Sequence, residues 1–325
     1  MANVEKKQNT VKVSRLYGDY LIMLVAPCII AYVYYGARVI SVLAAGVLSA
    51  YISDLTVCAI LGKKFLLKDL SNVFIGVVTA LMLPAGIPLY IPAVASVFAV
   101  ITAKIPFGGS LRAPFVPAAA GFAFVSVCFK EQIFDYTYNA ADKLLGERSL
   151  GNLLLQGNAV HLNAVNTIDI LSGNVAGPMG TGCGLLMLGC CAYLFVKRRG
   201  ALLATAGFIG ACSVFAFVFP RVNASPLTSL VLELSAGSLM FAAVFLVTDH
   251  ATLPQKGINR VVYGAVCGLF CMIMRLVGTY EETVCFAVLL ANGFSPIIDY
   301  ILRKIPFVSA VNKVSPLKRK GAASK

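Results

Sequence analysis

The sequence predicts an all-α integral membrane protein of about ten transmembrane helices, in two inverted halves of five. Hydrophobic residues make up 59% of the 325 residues and charged residues only 13%. A soluble domain is nearer one half apolar and one quarter charged. The apolar residues form long, non-alternating runs, and only helices carry such runs across a bilayer. The basic residues lie between these runs, mostly on alternate sides, as expected for a chain that crosses and returns.

The first apolar run follows a polar, basic N-terminus and predicts a first span at Leu21–Tyr35. The long charged lead, without a small-residue cleavage site, argues against a removed signal peptide. The third run is short and ends in the sequence PAGIP, so we expect a broken helix there. The nine later spans are expected at Val39–Leu61, Val73–Leu83, Ile91–Ala103, Phe115–Phe129, Gly182–Val196, Ala201–Phe219, Leu227–Val247, Val261–Gly278 and Thr283–Ile301.

The basic residues predict the orientation of these spans. With the N-terminus inside, 21 of the 27 lysines and arginines fall in cytoplasmic segments, as the positive-inside rule requires. We therefore expect a multi-pass protein of the cell membrane with both termini in the cytoplasm. The net charge of +13 follows from these segments. A nucleic-acid partner is not expected, because no basic run lies on a soluble module.

The predicted domain organisation is one membrane domain. Residues 1–129 form the first half, residues 130–180 an extracytoplasmic loop, and residues 181–325 the second half. A weak internal similarity supports the repeat: VVTALMLPAGIP ends at Pro88, and AAVFLVTDHATLP ends at Pro254. Interrupted segments at matching places in two inverted halves are typical of a central binding site.

Two carboxylates lie within apolar runs. Asp54 and Glu233 are therefore candidates for an ion path, because a charge in the bilayer is costly and usually functional. The alternative is a hydrated group near a span end, or one paired with Arg275, and the residues leave both interpretations open. Arg275 itself is expected near the extracytoplasmic surface, paired with Glu281 or Glu282 or extended towards water.

The cysteines and histidines predict no metal centre. All ten cysteines lie in apolar segments and none forms a CxxC pair, which argues against a disulfide framework. Cys267 and Cys271 lie one helical turn apart, but two thiols alone are a weak signal for a metal. His161 and His250 fall on opposite predicted faces and are interpreted as ordinary polar residues.

Four segments carry a resemblance to a known family. They are VVTALMLPAGIP, FGGSLRAPFVPAAAGFAF, SGNVAGPMGTGCGLLMLGCCAYLFVKRR and TDHATLP with the following RVVYGAVCGLFCMIMRLVGTYEETVCFAVLLANGFSPIIDY. Together they resemble the D subunit of the Rnf electron transport complex, which is related to the B subunit of the sodium-pumping NADH:quinone oxidoreductase. The chain departs from the family pattern at Ala113 and Val116, where the family has asparagines. It also departs at Thr181 and Gly182, which replace a glutamate and a threonine.

The resemblance implies a membrane subunit that helps to pass electrons between ferredoxin and NAD while sodium or protons are translocated. The implied partners are other Rnf-type membrane subunits and a flavin-carrying G-type subunit, and the implied cofactor is FMN or riboflavin. The chain contains no complete catalytic site of its own. The alternative function is a small-solute channel or transporter with an inverted-repeat fold and no redox role.

The family attaches FMN through its phosphate to a threonine in an outer-face Ser-Gly-Ala-Thr motif. The best placement aligns DYTYNAAD, which begins at Asp135, and it puts Ala141 at the threonine. A second placement aligns DILSGNV and puts Val175 there. Neither side chain has a hydroxyl, so we expect no covalent FMN.

A glycine-rich segment leads into the sixth predicted span. The resemblance places cofactor contacts at Gly173, Asn174, Gly180 and Thr181, and a glycine-rich helix N-terminus is able to seat an anion. Tight helix packing is the equally weighted alternative for these residues.

Overall fold

The computed structural model describes residues 2–62, 69–136, 154, 173, 176–221, 226–254, 256–278 and 282–304, except the side chains of 2–15 and 226–227. Within these ranges the regular structure is helical. The helices are α1 (Ala2–Tyr35), α2 (Arg38–Ile60), α3 (Leu70–Leu81), α4 (Tyr90–Phe98) with its π-helical extension (Ala99–Lys104), α5 (Pro117–Cys128), α6 (Lys130–Ile133), α7 (Gly184–Lys197), α8 (Arg199–Val218), α9 (Pro226–Ser235), α10 (Leu239–Phe245), α11 (Gly257–Val277) and α12 (Val284–Lys304).

The described helices include five that are long and apolar enough to cross a membrane: α2, α8, α11, α12 and residues Leu16–Tyr35 of α1. The pair α9 and α10 counts as a sixth only if its bend of 60° lies within one span. Helices α3, α5, α7 and α4 with its extension are apolar but shorter. Each predicted run therefore coincides with a helix or a bent pair. The structure is an all-helical membrane protein, and the count of ten crossings stays a prediction.

Interactions of nearby residues determine where helix α3 begins and where it ends. The Asp69 side chain accepts a hydrogen bond from the Ser71 N–H at 3.1 Å and caps its start. Beyond its end, Pro84 cannot continue the helix. The carbonyl of Leu81 instead accepts the Gly180 N–H at 2.8 Å. Gly180 is required for this approach, because a Cβ there would lie 2.7 Å from the Leu81 Cβ.

Helix α1 contacts residues from the later part of the chain at both of its ends, and these contacts define two ends of the bundle. At one end the Tyr20 hydroxyl donates to the Thr248 carbonyl at 2.6 Å, and Arg198 pairs with Asp19 at 3.5 Å. We call this end the N-terminal side. At the opposite end, the far side, the Tyr35 hydroxyl donates to the Gly177 carbonyl at 3.0 Å.

The helix neighbours follow a similar pattern in residues 1–129 and in residues 181–325, the two predicted halves. Helix α2 packs on α3 and α4, and α4 packs on α5. In the second half α8 packs on α9, α10 and α11, and α11 packs on α12. The α8–α11 contact is so close that a Cβ at Gly264 would overlap the Ala204 carbonyl oxygen. Small residues let the two backbones approach in this way.

Candidate functional site

A buried cluster of charged side chains lies at the N-terminal side, where α2, α3 and the π-helical extension meet. The Lys104 ammonium lies 2.5 Å from Asn72 Oδ1, 2.9 Å from Asp69 Oδ2 and 3.2 Å from Asp54 Oδ2. Lys104 is only 3% exposed. All three donors of its ammonium group are therefore satisfied inside the protein. We call Asp54, Asp69 and Asn72 the oxygen cage.

The cage residues come from separate elements whose ends converge. Asp54 lies in the last two turns of α2, Asp69 caps α3, and Asn72 lies in the first turn of α3. Burial raises the pKa of Asp69, but the ion pair and hydrogen bond with Lys104, together with the Ser71 N–H, outweigh it and hold that pKa below its usual value. Asp69 is thus an ionised carboxylate in a partly buried position.

A second charged cluster lies at the far side, around the break between α9 and α10. Glu233 is 1% exposed and binds Arg221 through both carboxylate oxygens, one of them at 2.6 Å from Arg221 Nη2. Arg275 Nη1 lies 3.4 Å from that same oxygen, Glu233 Oε2. We call Arg221 and Arg275 the arginine clamp of Glu233.

The clamp also binds main chain that the helix break leaves unpaired. Arg275 donates to the carbonyls of Glu233 and Ala236, at 2.9 and 2.8 Å. Arg221 donates to the Arg275 carbonyl at 3.0 Å. The start of α10 is closed by the Glu282 carboxylate, which accepts the Ser238 N–H at 2.9 Å and the Ser238 hydroxyl. The buried charges therefore stabilise the break itself.

The two carboxylates proposed from the sequence lie in different clusters at opposite ends of the bundle. Asp54 lies in the oxygen cage and Glu233 in the arginine clamp, and each has a cation as partner. The pairing of Glu233 with Arg275 was one of the two interpretations that the sequence left open. Extension of Arg275 towards water was wrong, because Arg275 is 3% exposed and its described ion-pair partner is Glu233.

The glycine-rich segment forms a small cleft at the far side. Gly173 and Gly180 line it together with Tyr34 and Tyr35 of α1. Thr181 is buried, and its hydroxyl donates to the Pro178 carbonyl at 3.3 Å.

Of the remaining predicted flavin positions, the structure describes Asp135 alone. Asp135 is an exposed residue after α6, and Ala141 and Asn174 lie outside the described residues. The close contact of Gly180 with Leu81 explains why a glycine stands at this position, so the glycine does not indicate a cofactor. The cofactor role of this segment therefore stays a prediction.

Sequence reasoning missed a buried carboxylate in the turn between α10 and α11. Asp249 is 1% exposed, and its Oδ1 accepts the Ala251 N–H at 3.2 Å and the Tyr17 hydroxyl at 3.5 Å. Its Oδ2 has no described partner. Burial raises the pKa of Asp249 to about 6. The signal available in the sequence was an acidic residue in a short turn between two apolar runs.

In the described part of the chain, no group of three or more His, Cys, Asp or Glu residues is arranged to hold a metal ion. The charged groups of both clusters are instead arranged around the chain's own cations.

Comparison with known proteins shows similarity along nearly the whole chain. Residues 5–308 match the NQR2, RnfD, RnfE family. Over 304 residues the chain is 26% identical to the D subunit of the proton-translocating ferredoxin:NAD(+) oxidoreductase complex of Clostridium ljungdahlii, covering 91% of this chain and 92% of that protein. Over 299 residues it is 26% identical to the D subunit of the Na(+)-translocating ferredoxin:NAD(+) oxidoreductase complex of Acetobacterium woodii, covering 91% and 90%. Over 260 residues it is 31% identical to the D subunit of the ion-translocating oxidoreductase complex of Ectopseudomonas mendocina, covering 74% and 75%.

Proposed function

The chain belongs to the NQR2, RnfD, RnfE family, and on that premise we propose that it is a membrane subunit of an Rnf-type complex. Such a complex couples electron transfer between ferredoxin and NAD to the translocation of sodium or protons. The observation that carries the proposal is the extent of the match, which covers 91% of this chain and 92% of a relative with that role in its name. The partners are other membrane subunits of the complex and a flavin-carrying G-type subunit.

Sodium and protons both stay open as the translocated ion. One relative is named for proton translocation and another for Na(+) translocation, and each is 26% identical to this chain.

We propose two inverted five-helix halves, residues 1–129 and 181–325, with residues 130–180 as an extracytoplasmic loop and both termini in the cytoplasm. The recurring helix neighbours support the repeat: α2 packs on α3 and α4, and α4 on α5, as α8 packs on the α9–α10 pair and α11, and α11 on α12. The basic residues support the orientation. In this arrangement the N-terminal side of the bundle faces the cytoplasm.

We propose that Asp54 and Glu233 act in ion translocation, each near one face of the membrane. A buried carboxylate attracts a cation from either side; Asp54 already binds Lys104, and Glu233 already binds Arg221 and Arg275. The two residues differ in how firmly that internal cation is held.

The cofactor implied by the family is FMN or riboflavin, and we propose that no FMN is linked covalently to this chain. The family's attachment chemistry needs a threonine hydroxyl, and Ala141 or Val175 stands at that position in the two possible alignments. Fluorescence of a denaturing gel under ultraviolet light tests this, using cells with an active flavin transferase. We expect no flavin-bright band at the mass of this chain. A bright band that maps to Thr137 or Thr167 would show that the attachment site has moved.

The function is tested in inverted membrane vesicles from cells with and without this chain. With the chain, ferredoxin oxidation by NAD is expected to drive uptake of radioactive sodium or acidification of the vesicle lumen. Without it, both electron transfer and uptake are expected to fall to background. Full electron transfer and full ion uptake in vesicles that lack the chain would contradict the proposal.

The alternative function, a small-solute channel, is less well supported, because the predicted halves meet in close apolar packing. Cys285 of α12 contacts Met82 at the end of α3, sulfur to sulfur, at 4.0 Å. Leu81 and Leu83, on either side of Met82, are fully buried and apolar. Purified chain in liposomes without partner subunits is expected to show no faster solute entry than empty liposomes.

A further inference from the structure

We propose that four basic residues at the N-terminal side of the bundle bind the phosphate group of an anionic membrane lipid. They lie where α7 ends and where α8 and α11 begin, and we call Lys197, Arg199, Lys256 and Arg260 the basic surface. The first three are exposed and Arg260 is half-buried. The inference rests on the membrane location of the chain and goes beyond its proposed part in electron transfer.

Packing between α8 and α11 brings these basic residues together. The Arg260 guanidinium lies against the main chain of Gly200, the residue after Arg199, because a Cβ at Gly200 would be 1.7 Å from Arg260 Nη1. A Cβ at Gly257, the first residue of α11, would lie 3.6 Å from Leu203 Cδ1 in the first turns of α8. The starts of the two helices are therefore neighbours, and their cations are grouped there.

The basic surface has no acidic counterpart among the described residues. None of its four cations forms an ion pair there. The carboxylates of neighbouring elements have other partners, which are Arg198 for Asp19, the Asn259 amide for Asp299 and the Ala251 N–H for Asp249. Neither α8 nor α11 has an acidic residue in its first turn, so the positive end of each helix dipole adds to the charge. The described part of the chain thus leaves this charge to an anion from outside.

Arg260 is held in one direction, unlike a side chain that extends freely into water. Its Nε donates to the Pro254 carbonyl at 2.7 Å, which orients the guanidinium without neutralising its charge. A planar guanidinium of fixed direction is well suited to a phosphate, because its remaining N–H groups match the phosphate oxygens. The positive-inside rule accounts for the side of the membrane on which the four residues lie, but not for this orientation.

Exposed apolar side chains beside the basic surface favour a lipid over a soluble anion. Phe195 and Val196, in the last turn of α7, are 54% and 72% exposed. The Arg199 guanidinium carbon lies 5.5 Å from the centre of the Phe195 ring, so the charged and the apolar surface are continuous. A lipid contacts both surfaces at once, with its phosphate and its acyl chains, whereas a free phosphate or an acidic protein contacts only the charged one. Basic groups between membrane helices on the cytoplasmic side bind anionic headgroups in this way.

The test compares two lipids that differ in their headgroup. The full purified chain in neutral detergent is unfolded by heat with added phosphatidylglycerol, or with phosphatidylcholine of the same acyl chains, at constant ionic strength. With phosphatidylglycerol at ten times its Kd, the wild-type Tm is expected to lie about 2–4 °C above its value with phosphatidylcholine. Sodium phosphate at the same concentration is expected to leave the Tm unchanged, since it has no acyl chains.

The double variant Lys197→Gln with Arg199→Gln removes two charges from the basic surface. Each basic residue near an anionic headgroup adds about fivefold to the affinity, so binding should weaken about 25-fold and the Tm difference should fall below about 1 °C. Both side chains are exposed, so this variant is expected to keep the wild-type Tm in phosphatidylcholine. The matched control, Arg303→Gln with Lys304→Gln, removes two exposed charges from the end of α12 and should keep the full Tm difference.

Three results would overturn the proposal. Equal losses of the Tm difference in the two double variants would show a general attraction to anionic lipid instead of a site at α7, α8 and α11. An equal wild-type Tm in the two lipids would leave no lipid site at all, and an equal rise with sodium phosphate would assign the surface to free phosphate. The measurement involves no electron transfer, so its outcome and that of the proposed function are independent.

Discussion

The oxygen cage and the arginine clamp both bury acidic and basic side chains together, but the cations differ in what they bind. Among the described residues, the Lys104 ammonium contacts side-chain oxygens of Asp54, Asp69 and Asn72. The Arg275 guanidinium contacts two main-chain carbonyls at the α9–α10 break as well as Glu233. A planar guanidinium binds several acceptors in fixed directions, whereas an ammonium is a point charge that another small cation is able to replace.

This difference separates the two carboxylates that the sequence treated alike. Glu233 is bound by two guanidinium groups that also stabilise the main chain, so its cation cannot leave without opening the helix break. Asp54 shares one ammonium with Asp69 and Asn72, and those two residues keep it bound if Asp54 changes. We therefore expect changes at the clamp to affect folding and changes at the cage to affect ion coupling.

Arg275→Met is expected to have the largest effect. It leaves the carbonyls of Glu233 and Ala236 without donors in a buried position, and removing one partner of a buried ion pair costs about 3–5 kcal/mol. The measurement is the free energy of unfolding in detergent. Arg303→Met, at an exposed position near the end of α12, is the matched control and should cost less than about 0.5 kcal/mol. Equal losses at the two positions would remove the distinction between clamp and surface.

Gly237→Ala tests the geometry of the same break. Gly237 has a φ of 60°, and a Cβ there would overlap Glu282 Oε1. We expect a loss of about 2–3 kcal/mol from the backbone conformation and the displaced carboxylate. Gly210→Ala is the control, because a Cβ there meets nothing within 4 Å in the middle of α8. That change should be neutral or slightly stabilising, as measured by the Tm of both variants side by side.

Asp249 extends the comparison to a buried carboxylate with no ion pair among the described residues. Its pKa is raised from 3.8 to about 6 by burial, so the folded state favours the neutral form. The contribution of Asp249 to the free energy of unfolding is therefore complete below about pH 4 and is lost as the pH rises through about 6. Asp249→Asn mimics the neutral form and should be more stable than wild type above pH 6, by about 3 kcal/mol. The Tm difference between the two proteins from pH 4.5 to 7.5 measures this, and a constant difference would contradict it.

Asp54→Asn is expected to have the smallest effect on stability, about 1 kcal/mol, because Lys104 keeps Asp69 and Asn72 as partners. It is expected to slow ion-coupled turnover, since one intramembrane charge is lost. Ion uptake and electron transfer in vesicles should be measured together, with Glu233→Gln alongside. Glu233→Gln is expected to reduce the amount of folded protein first, since two arginines lose their carboxylate. Normal pumping by both variants would make both residues structural.

The helices were predictable from the sequence, because apolar length and composition are local properties. The predicted runs coincide with helices or a bent pair, and the PAGIP sequence marked the break after α3. The family was predictable too, through segments that stay recognisable without any knowledge of contacts. The crossing number was harder to establish, since α3 and α5 have 12 residues and α7 has 14, fewer than the about 20 that a full crossing needs.

Which charges meet became visible only when the helices were packed together. Lys104 and Asp54 are 50 positions apart, and Arg275 and Glu233 are 42 apart, so no local pattern shows either pair. The sequence left Arg275 either paired with Glu281 or Glu282 or extended towards water, and it left Asp249 without a role, because the surroundings of a polar side chain near a span end depend on the helices packed around it. A charge buried in a bundle must find a partner, and which partner it finds is set by where the helix ends converge.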